Sequence, residues 1–169
     1  MDQPHLEHKS YAPSLVRCVV ITVSDSRTPD TDTGGQTIQQ LLRDAGHEVA
    51  AYHLVKDEPV EIGTLLEKYT WDQSVDAIIT TGGTGISPRD CTYETVSRML
   101  DKELPGFGEL FRTLSYQEIG SAALLSRAVA GVSRRTVIVS LPGSRGAVAL
   151  AMEKLILPEL AHMVGQLRR

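Results

Sequence analysis

The feature that most constrains the fold is the alternation of short β-branched runs with segments of helical periodicity. The stretches "RCVVITVS" (residues 17–24) and "VDAIITT" (residues 75–81) are apolar runs typical of strands buried on both faces. Between them, "GQTIQQLLRDAG" (residues 35–46) carries apolar residues at helical spacing and ends on a glycine that can terminate the helix. Alternating strands and helices predict an α/β fold, in which helices cover both faces of a mainly parallel sheet.

The C-terminal third predicts one departure from a purely parallel sheet. In "RAVAGVSRRTVIVSLPG" (residues 127–143) two apolar runs flank a short polar turn, which predicts a hairpin and therefore one antiparallel strand. Residues 93–103 and 107–120 have helical patterns, and a long last helix is predicted over residues 147–167, interrupted by Pro158.

Composition sets wide bounds on domains and partners. We expect residues 1–14, which are polar and contain two prolines, to form a flexible or subunit-docking arm before a single domain over residues 15–169.

The net charge of −4 gives no support to a nucleic-acid partner. The N-terminus lacks the apolar core of a signal peptide, and no stretch approaches the roughly 20 apolar residues of a membrane span. We therefore expect a cytoplasmic protein with no membrane partner.

A glycine-rich loop follows the predicted strand at residues 75–81. In mainly parallel sheets, ligands bind beyond the carboxyl ends of the strands. Gly82, Gly83 and Gly85 permit positive φ and close backbone approach, so successive N–H groups can bind an anion, with the Thr84 hydroxyl as a further donor. The loop matches neither the Walker pattern nor the dinucleotide-binding fingerprint. On spacing alone, a structural turn and an anion site are equally open interpretations.

A second loop, "LPGS", ends the last predicted strand. Pro142 and Gly143 predict a tight turn. Ser144 is placed either to cap the following helix or to bind a phosphate oxygen, and the two roles are compatible.

Three aspartates, Asp25, Asp57 and Asp90, follow predicted strands or lie in the loops they feed. Carboxylates gathered at one sheet edge can hold Mg²⁺, which prefers oxygen ligands and neutralises phosphate charge in phosphoryl or nucleotidyl transfer. The alternative for each is a turn or N-cap role, which is common for Asp at such junctions. For Asp90 this would mean capping a helix from Thr92, and Asp32 is predicted to cap the helix after it.

Four motifs stand in order along the chain. They are "TTGGTGISPRD" (residues 80–90), "LPGFGELFR" (104–112), "LSRAVAGV" (125–132) and "LPGS" (141–144). Together they resemble the MogA/MoaB family of molybdenum cofactor biosynthesis proteins, over almost all of the chain from about residue 16. The stretches "FRTLSYQEIG" and "SRAVAGVSRRT" are more similar to the MoaB branch than to the MogA branch.

The resemblance implies a three-layer α/β/α molybdopterin-binding fold that assembles as a homotrimer or homohexamer. It also implies an enzyme, a molybdopterin adenylyltransferase, in which the terminal phosphate of molybdopterin attacks the α-phosphorus of Mg-ATP and pyrophosphate is released. Asp57 and Asp90 fall on the family's two catalytic acidic positions and are candidate Mg²⁺ ligands. Other proteins of the same pathway are further candidate partners. The positions that fall on substrate-binding loops are Ser24, Asp25, Gly82, Gly83, Thr84, Gly85, Pro142, Gly143 and Ser144.

Some residues depart from the family pattern. The common "RDVTPE" is "RDCTYE" here, with Cys91 and Tyr93, and "DTSG" is "DTGG", with Gly34. The chain keeps Arg89 and Asp90, which favours activity. Two alternatives to an enzyme stay open: a non-catalytic molybdopterin-binding or carrier protein of the same pathway, and an oligomeric scaffold whose loops are only packing turns.

Overall fold

The computed structural model describes residues 12–169 and contains a six-stranded mixed sheet. Across the sheet the strand order is β2-β1-β3-β6-β5-β4, and β5 runs antiparallel to both of its neighbours while the other pairings are parallel. The prediction of a mostly parallel sheet with one antiparallel strand is confirmed. The strands are β1 (Arg17–Val23), β2 (Glu48–Val55), β3 (Ala77–Thr81), β4 (Lys102–Glu103), β5 (Val129–Ser133) and β6 (Thr136–Leu141).

Helices cover both faces of the sheet. They are α1 (Thr33–Asp44), α2 (Pro59–Trp71), α3 (Thr92–Met99), α4 (Pro105–Ile119), α5 (Arg145–Ala151) and α6 (Leu157–Leu167). A 3₁₀ segment, Gly120–Leu125, follows α4, and a π-helical turn, Met152–Ile156, joins α5 to α6. Of the predicted N-terminal arm, residues 1–11 lie outside the described residues.

Two hydrophobic cores hold the layers together. One core lies between the sheet and α1, α4 and the C-terminal helices, and includes Val20 and Phe111. The other lies between the opposite face and α2 and α3, and includes Ile21 and Leu66. Adjacent residues of β1 face different cores because side chains alternate along a strand. Each fully buried large apolar side chain contributes about 1.5–3 kcal/mol to the free energy of folding. Because one core lies on each face of the sheet, the expected three-layer α/β/α fold is confirmed.

The ends of α1 follow the local sequence signals. The Asp32 carboxylate accepts a hydrogen bond from the Gly35 N–H at 3.0 Å, which is the predicted N-cap. At the other end Gly46 has φ of 81°, its N–H donates to the Arg43 carbonyl, and the His47 N–H donates to the Leu42 carbonyl. This pattern is a Schellman motif, which requires a residue with positive φ and explains the glycine.

The helix predicted over residues 93–103 is too long. In the structure α3 ends at Met99, and Lys102 and Glu103 form the edge strand β4, opposite Val132 and Gly131. A Cβ on Gly131 would stand 2.3 Å from the carbonyl oxygen of Lys102, so the absent side chain lets the edge strand approach. This pairing is non-local, and helical periodicity carries no information about it.

The predicted interruption of the last helix is confirmed. Pro158 has no N–H, so the Lys154 carbonyl loses its α-helical partner, and the π-helical turn lies directly before this position. In the described part of the chain, no helix combines the length and the apolar character needed to cross a bilayer.

Candidate functional site

The loops after β1, β2, β3 and β6 meet at one edge of the sheet, as expected for parallel strands. They line a cleft of about 510 Å³, a volume typical of small-molecule sites. Every site residue proposed from the sequence lines this cleft except Ser144. The predicted residues at the cleft are Ser24, Asp25, Asp57, Gly82, Gly83, Thr84, Gly85, Asp90, Pro142 and Gly143.

The glycines of the loop after β3 are required by close contacts. Gly82 has φ of 92°, and a Cβ there would stand 2.2 Å from the Val23 carbonyl oxygen. Gly83 has φ of 65°, and its Cβ would stand 2.2 Å from Thr92 Oγ1 and 2.7 Å from Asp57 Oδ2. A side chain at either position would force the surrounding backbone or carboxylate to move. The interpretation of this loop as a structural turn is therefore correct, and it does not exclude a second role in binding.

The same loop also presents unpaired donors. Its first N–H, from Gly82, donates to the Leu141 carbonyl, and the Ser87 N–H donates to Asp90 Oδ2. Between them, the four consecutive N–H groups of residues 83–86 have no acceptor anywhere in residues 12–169. Consecutive free N–H groups form a nest that binds an anionic oxygen without a cationic side chain. Gly83, Thr84 and Gly85 line the cleft, so the loop is both a required turn and a source of unpaired donors beside it.

Asp57 is almost fully buried, with 7% of its surface exposed. Its Oδ1 accepts hydrogen bonds from the backbone N–H of Cys91 at 3.1 Å and from the Cys91 thiol at 3.0 Å. Its Oδ2 lies beside Gly83 and has no hydrogen-bond partner among the described residues. One carboxylate oxygen is therefore anchored at the start of α3, and the other has no partner in the described part of the chain.

Asp90 closes the end of the glycine loop. Its Oδ2 accepts the Ser87 N–H at 2.9 Å and lies against Gly85, where a Cβ would stand 2.6 Å away. The alternative that Asp90 caps α3 is wrong, because the N-cap position is occupied by Cys91. No residue in the described range hydrogen-bonds to Asp90 Oδ1. Asp90 therefore also has one anchored and one unpaired oxygen.

Asp25 is occupied by contacts within the protein. Its Oδ1 accepts the Asp57 N–H at 3.1 Å, and its carboxylate pairs with Arg89 at 3.0 Å. Arg89 also pairs with Glu58 at 2.8 Å, so it joins the loops that follow β1 and β2. The Asp57 N–H, and after it Arg89, hold the pKa of Asp25 below its ordinary value. Asp25 thus orients the backbone that carries Asp57.

The loop after β6 is fixed from two sides. Thr81 Oγ1 donates to the Pro142 carbonyl at 3.0 Å, and Arg27 Nη2 donates to the Gly143 carbonyl at 2.9 Å. Ser144 accepts the Ala147 N–H at 3.2 Å, which makes it the N-cap of α5. Its predicted capping role is confirmed. At the first loop, Ser24 Oγ accepts the Arg27 N–H at 3.1 Å and shapes the turn after β1.

Sequence reasoning missed Arg127, which precedes β5. Its guanidinium donates to the carbonyl oxygens of Thr84 and Gly85 and forms an ion pair with Glu94. Hydrogen bonds from Arg127 lower the pKa of Glu94. The only sequence signal is that the two residues belong to the quoted stretches "RDCTYE" and "LSRAVAGV" and carry opposite charges. Contact between them depends on the tertiary fold.

The carboxylates of Asp57 and Asp90 at the cleft offer the oxygen donors that Mg²⁺ prefers. Within residues 12–169 no group of three or more His, Cys, Asp or Glu side chains could hold a metal on its own. Mg²⁺ is usually bound by one or two carboxylates together with substrate phosphates and waters. The unpaired oxygens of Asp57 and Asp90 are the correct donor type for that arrangement.

The fold and site define a class. Residues 19–162 match the family described as a probable molybdopterin binding domain, and the chain belongs to this family. Within it, the chain is 54% identical over 164 residues to molybdenum cofactor biosynthesis protein B of Bacillus subtilis (strain 168), covering 96% of each sequence. The predicted resemblance to the MogA/MoaB family, on its MoaB side, is confirmed.

Solved structures agree with this assignment. A crystal structure of a molybdenum cofactor biosynthesis protein B superposes with a TM-score of 0.90 at 53% identity, covering 94% of this chain and 99% of the other. The tungsten cofactor synthesizing protein MoaB from Pyrococcus furiosus superposes with a TM-score of 0.84 at 38% identity, covering 94% and 100%.

Proposed function

We propose that this molybdenum cofactor biosynthesis protein is a molybdopterin adenylyltransferase. An oxygen of the terminal phosphate of molybdopterin attacks the α-phosphorus of ATP and forms a new P–O bond. The bond from the α-phosphorus to the oxygen that bridges to the β-phosphorus breaks, and pyrophosphate leaves with the electron pair. The observation that carries this proposal is the position of the four unpaired N–H groups of residues 83–86 at the same sheet edge as Asp57 and Asp90.

The protein's part in this reaction is to align and hold two phosphates. The N–H groups of residues 83–86 bind phosphate oxygens and leave the attacking oxygen free. Cys91 fixes Asp57, and Ser87 fixes Asp90, so the two carboxylates approach the phosphates in set positions. Phosphoryl-type transfers need little covalent work from the protein, so alignment and charge neutralisation account for the rate.

Local charge explains why a divalent cation belongs in the proposal. The cleft contains Arg27 and Arg89, but each is already paired with acids, Arg27 with Asp32 and Arg89 with Asp25 and Glu58. Two further carboxylates facing bound phosphates would repel them. Mg²⁺, held by Asp57 and Asp90, would neutralise the phosphates and the negative charge that develops on the leaving pyrophosphate.

We also propose that the chain acts as a homotrimer or homohexamer in the cytoplasm, where ATP is available. The support for assembly is the set of large apolar side chains left exposed on α4 and the following 3₁₀ segment. These are Leu110, Tyr116, Ile119, Leu124 and Leu125. Exposed apolar surface of this kind marks protein–protein contacts, and Leu125 also lines the cleft.

A single-turnover assay tests the proposed reaction. Purified chain, molybdopterin and Mg-ATP are mixed, and adenylylated molybdopterin is separated by chromatography. We expect product with the wild type and none with Asp57→Asn or Asp90→Asn. The Asp90→Asn side chain keeps an oxygen for the Ser87 N–H, so its melting temperature should stay within a few degrees of the wild type. Asp30→Asn, an exposed change in the loop after β1, is the control and should keep full turnover.

Two results would contradict an enzyme. Tight molybdopterin binding without ATP-dependent product would support the carrier alternative. No affinity for either molybdopterin or ATP in a calorimetric titration would support the scaffold alternative, in which the cleft loops are only packing turns.

A further inference from the structure

Arg127 contacts the glycine loop through two backbone carbonyl groups. Its Nε donates to the Thr84 carbonyl oxygen at 2.9 Å, and its Nη2 donates to the Gly85 carbonyl oxygen at 2.6 Å. Gly85 lines the cleft and Arg127 does not. One guanidinium therefore holds two consecutive carbonyl groups of the loop.

The Arg127 guanidinium is itself held in place. It forms an ion pair with Glu94 of α3, including a contact of 3.3 Å from Nη2 to Oε2, and it lies 4.9 Å from the centre of the Tyr93 ring. The planar guanidinium suits several directed hydrogen bonds at once, which a lysine ammonium does not reproduce. Since Glu94 compensates its charge, Arg127 acts on the loop through geometry more than through net charge.

Holding the two carbonyls sets the direction of two N–H groups. The peptide unit is planar and trans, so the Thr84 carbonyl and the Gly85 N–H point in opposite directions, and the same holds for the Gly85 carbonyl and the Ile86 N–H. With both carbonyls directed at Arg127, the N–H groups of Gly85 and Ile86 are directed away from it. These two groups are among the four donors that have no acceptor in the described chain.

We infer that Arg127 is a positioning residue that presets the Gly85 and Ile86 N–H groups for an anionic ligand without touching that ligand. Without the two hydrogen bonds from Arg127, the glycine-rich backbone would sample several peptide orientations, and binding would have to order it. This inference rests on the proposed role of the glycine loop in holding a phosphate.

The test is a calorimetric titration of the full chain with inorganic pyrophosphate. We expect Arg127→Gln to bind pyrophosphate about tenfold or more weakly than the wild type, because two aligned donors to a charged oxygen are lost from the preset conformation. Arg127→Lys keeps the charge but reaches fewer acceptors, so its affinity for pyrophosphate should lie between those of the wild type and Arg127→Gln. Arg168→Gln is the matched control: it removes an arginine paired with Asp76 far from the cleft and should bind like the wild type.

A second measurement separates positioning from general stability. In ¹H–¹⁵N spectra without ligand, Arg127→Gln should shift the amide resonances of Gly85 and Ile86 more than those of the sheet core. If Arg127→Gln does not fold, Arg127→Lys and Glu94→Gln supply the same comparison. Pyrophosphate binding by these variants at wild-type affinity would overturn the inference and leave the proposed function intact. Failure of the wild type to bind pyrophosphate at all would overturn the inference, and the single-turnover assay would still decide the proposed function separately.

Discussion

The Cys91 thiol lies 3.0 Å from Oδ1 of Asp57, and the Cys91 backbone N–H donates to the same oxygen at 3.1 Å. The carboxylate is thus held at the N-terminus of α3, where the helix dipole favours negative charge. Burial, and after it the hydrogen bond to Asp57, raises the pKa of Cys91 to about 12. The sulfur therefore stays protonated at neutral pH and acts as a donor.

We expect this contact to make Cys91 a poor nucleophile. At pH 8 its alkylation by iodoacetamide should be about tenfold or more slower than that of an unperturbed cysteine, because so little thiolate is present. Asp57→Asn removes a negative charge beside the sulfur and should increase the rate. Peptide mass spectrometry over a time course measures both. Cys18, which is buried and has its pKa raised to about 12, is the internal reference that should stay unmodified. A rate at Cys91 equal to that of a free cysteine would contradict the contact.

Gly83 should tolerate no side chain. Gly83→Ala places a methyl group against Thr92 Oγ1 and Asp57 Oδ2 at a positive φ, so we expect a loss of about 2–4 kcal/mol in the free energy of unfolding. Urea denaturation measures this loss. The matched control is Gly106→Ala in the first turn of α4, where a Cβ meets nothing within 4 Å, and there the change should be about 1 kcal/mol or less. Similar losses for both variants would show that the close contacts at Gly83 do not exist.

Asp25 should contribute stability that depends on pH. Its pKa is lowered in the folded protein, so its contribution is present above the pKa of the unfolded chain, near 3.8, and is lost as pH falls through the lower folded value. We expect Asp25→Asn to be less stable than the wild type at pH 7 and equally stable at pH values below the folded pKa. Urea denaturation at several pH values measures the difference. A difference for Asp25→Asn that persists unchanged in acid would contradict the ionic role.

The parts of the fold that the sequence predicts are those set by local patterns. The N-cap at Asp32, the helix end at Gly46 and the break at Pro158 each depend on residues within about one helical turn. The pairing of Lys102 with Val132 and the contact of Arg127 with Thr84 join residues far apart in sequence. Hydrophobic periodicity carries no information about such contacts, so the sequence does not predict them.

The location of the candidate site could be predicted because parallel strands place their carboxyl ends at one edge. The sequence does not predict which carboxylate oxygens at that edge are left without a hydrogen-bond partner. Asp25, Asp57 and Asp90 have the same chemistry in sequence, yet Asp25 is occupied by Arg89 and the Asp57 N–H, while the other two each keep an unpaired oxygen. That difference arises from side-chain geometry, which only the folded chain defines.

The exposed apolar surface on α4 and the 3₁₀ segment yields a last prediction, about assembly. Leu124 has 83% of its surface exposed, and a charge at this position would be desolvated in an interface but well solvated on a free surface. We expect Leu124→Asp to reduce the assembly to monomers, measured by size-exclusion chromatography with light scattering. The control is Val60→Asp on α2, which is also largely exposed, at 78%, but lies outside the proposed surface and should keep the wild-type mass. A monomeric wild type, or an assembly that Val60→Asp breaks and Leu124→Asp does not, would contradict the assignment of this surface. Because Leu125 lines the cleft, loss of assembly in Leu124→Asp should also alter the affinity of the cleft for its ligand. This one variant therefore tests the proposed assembly and the proposed binding site together.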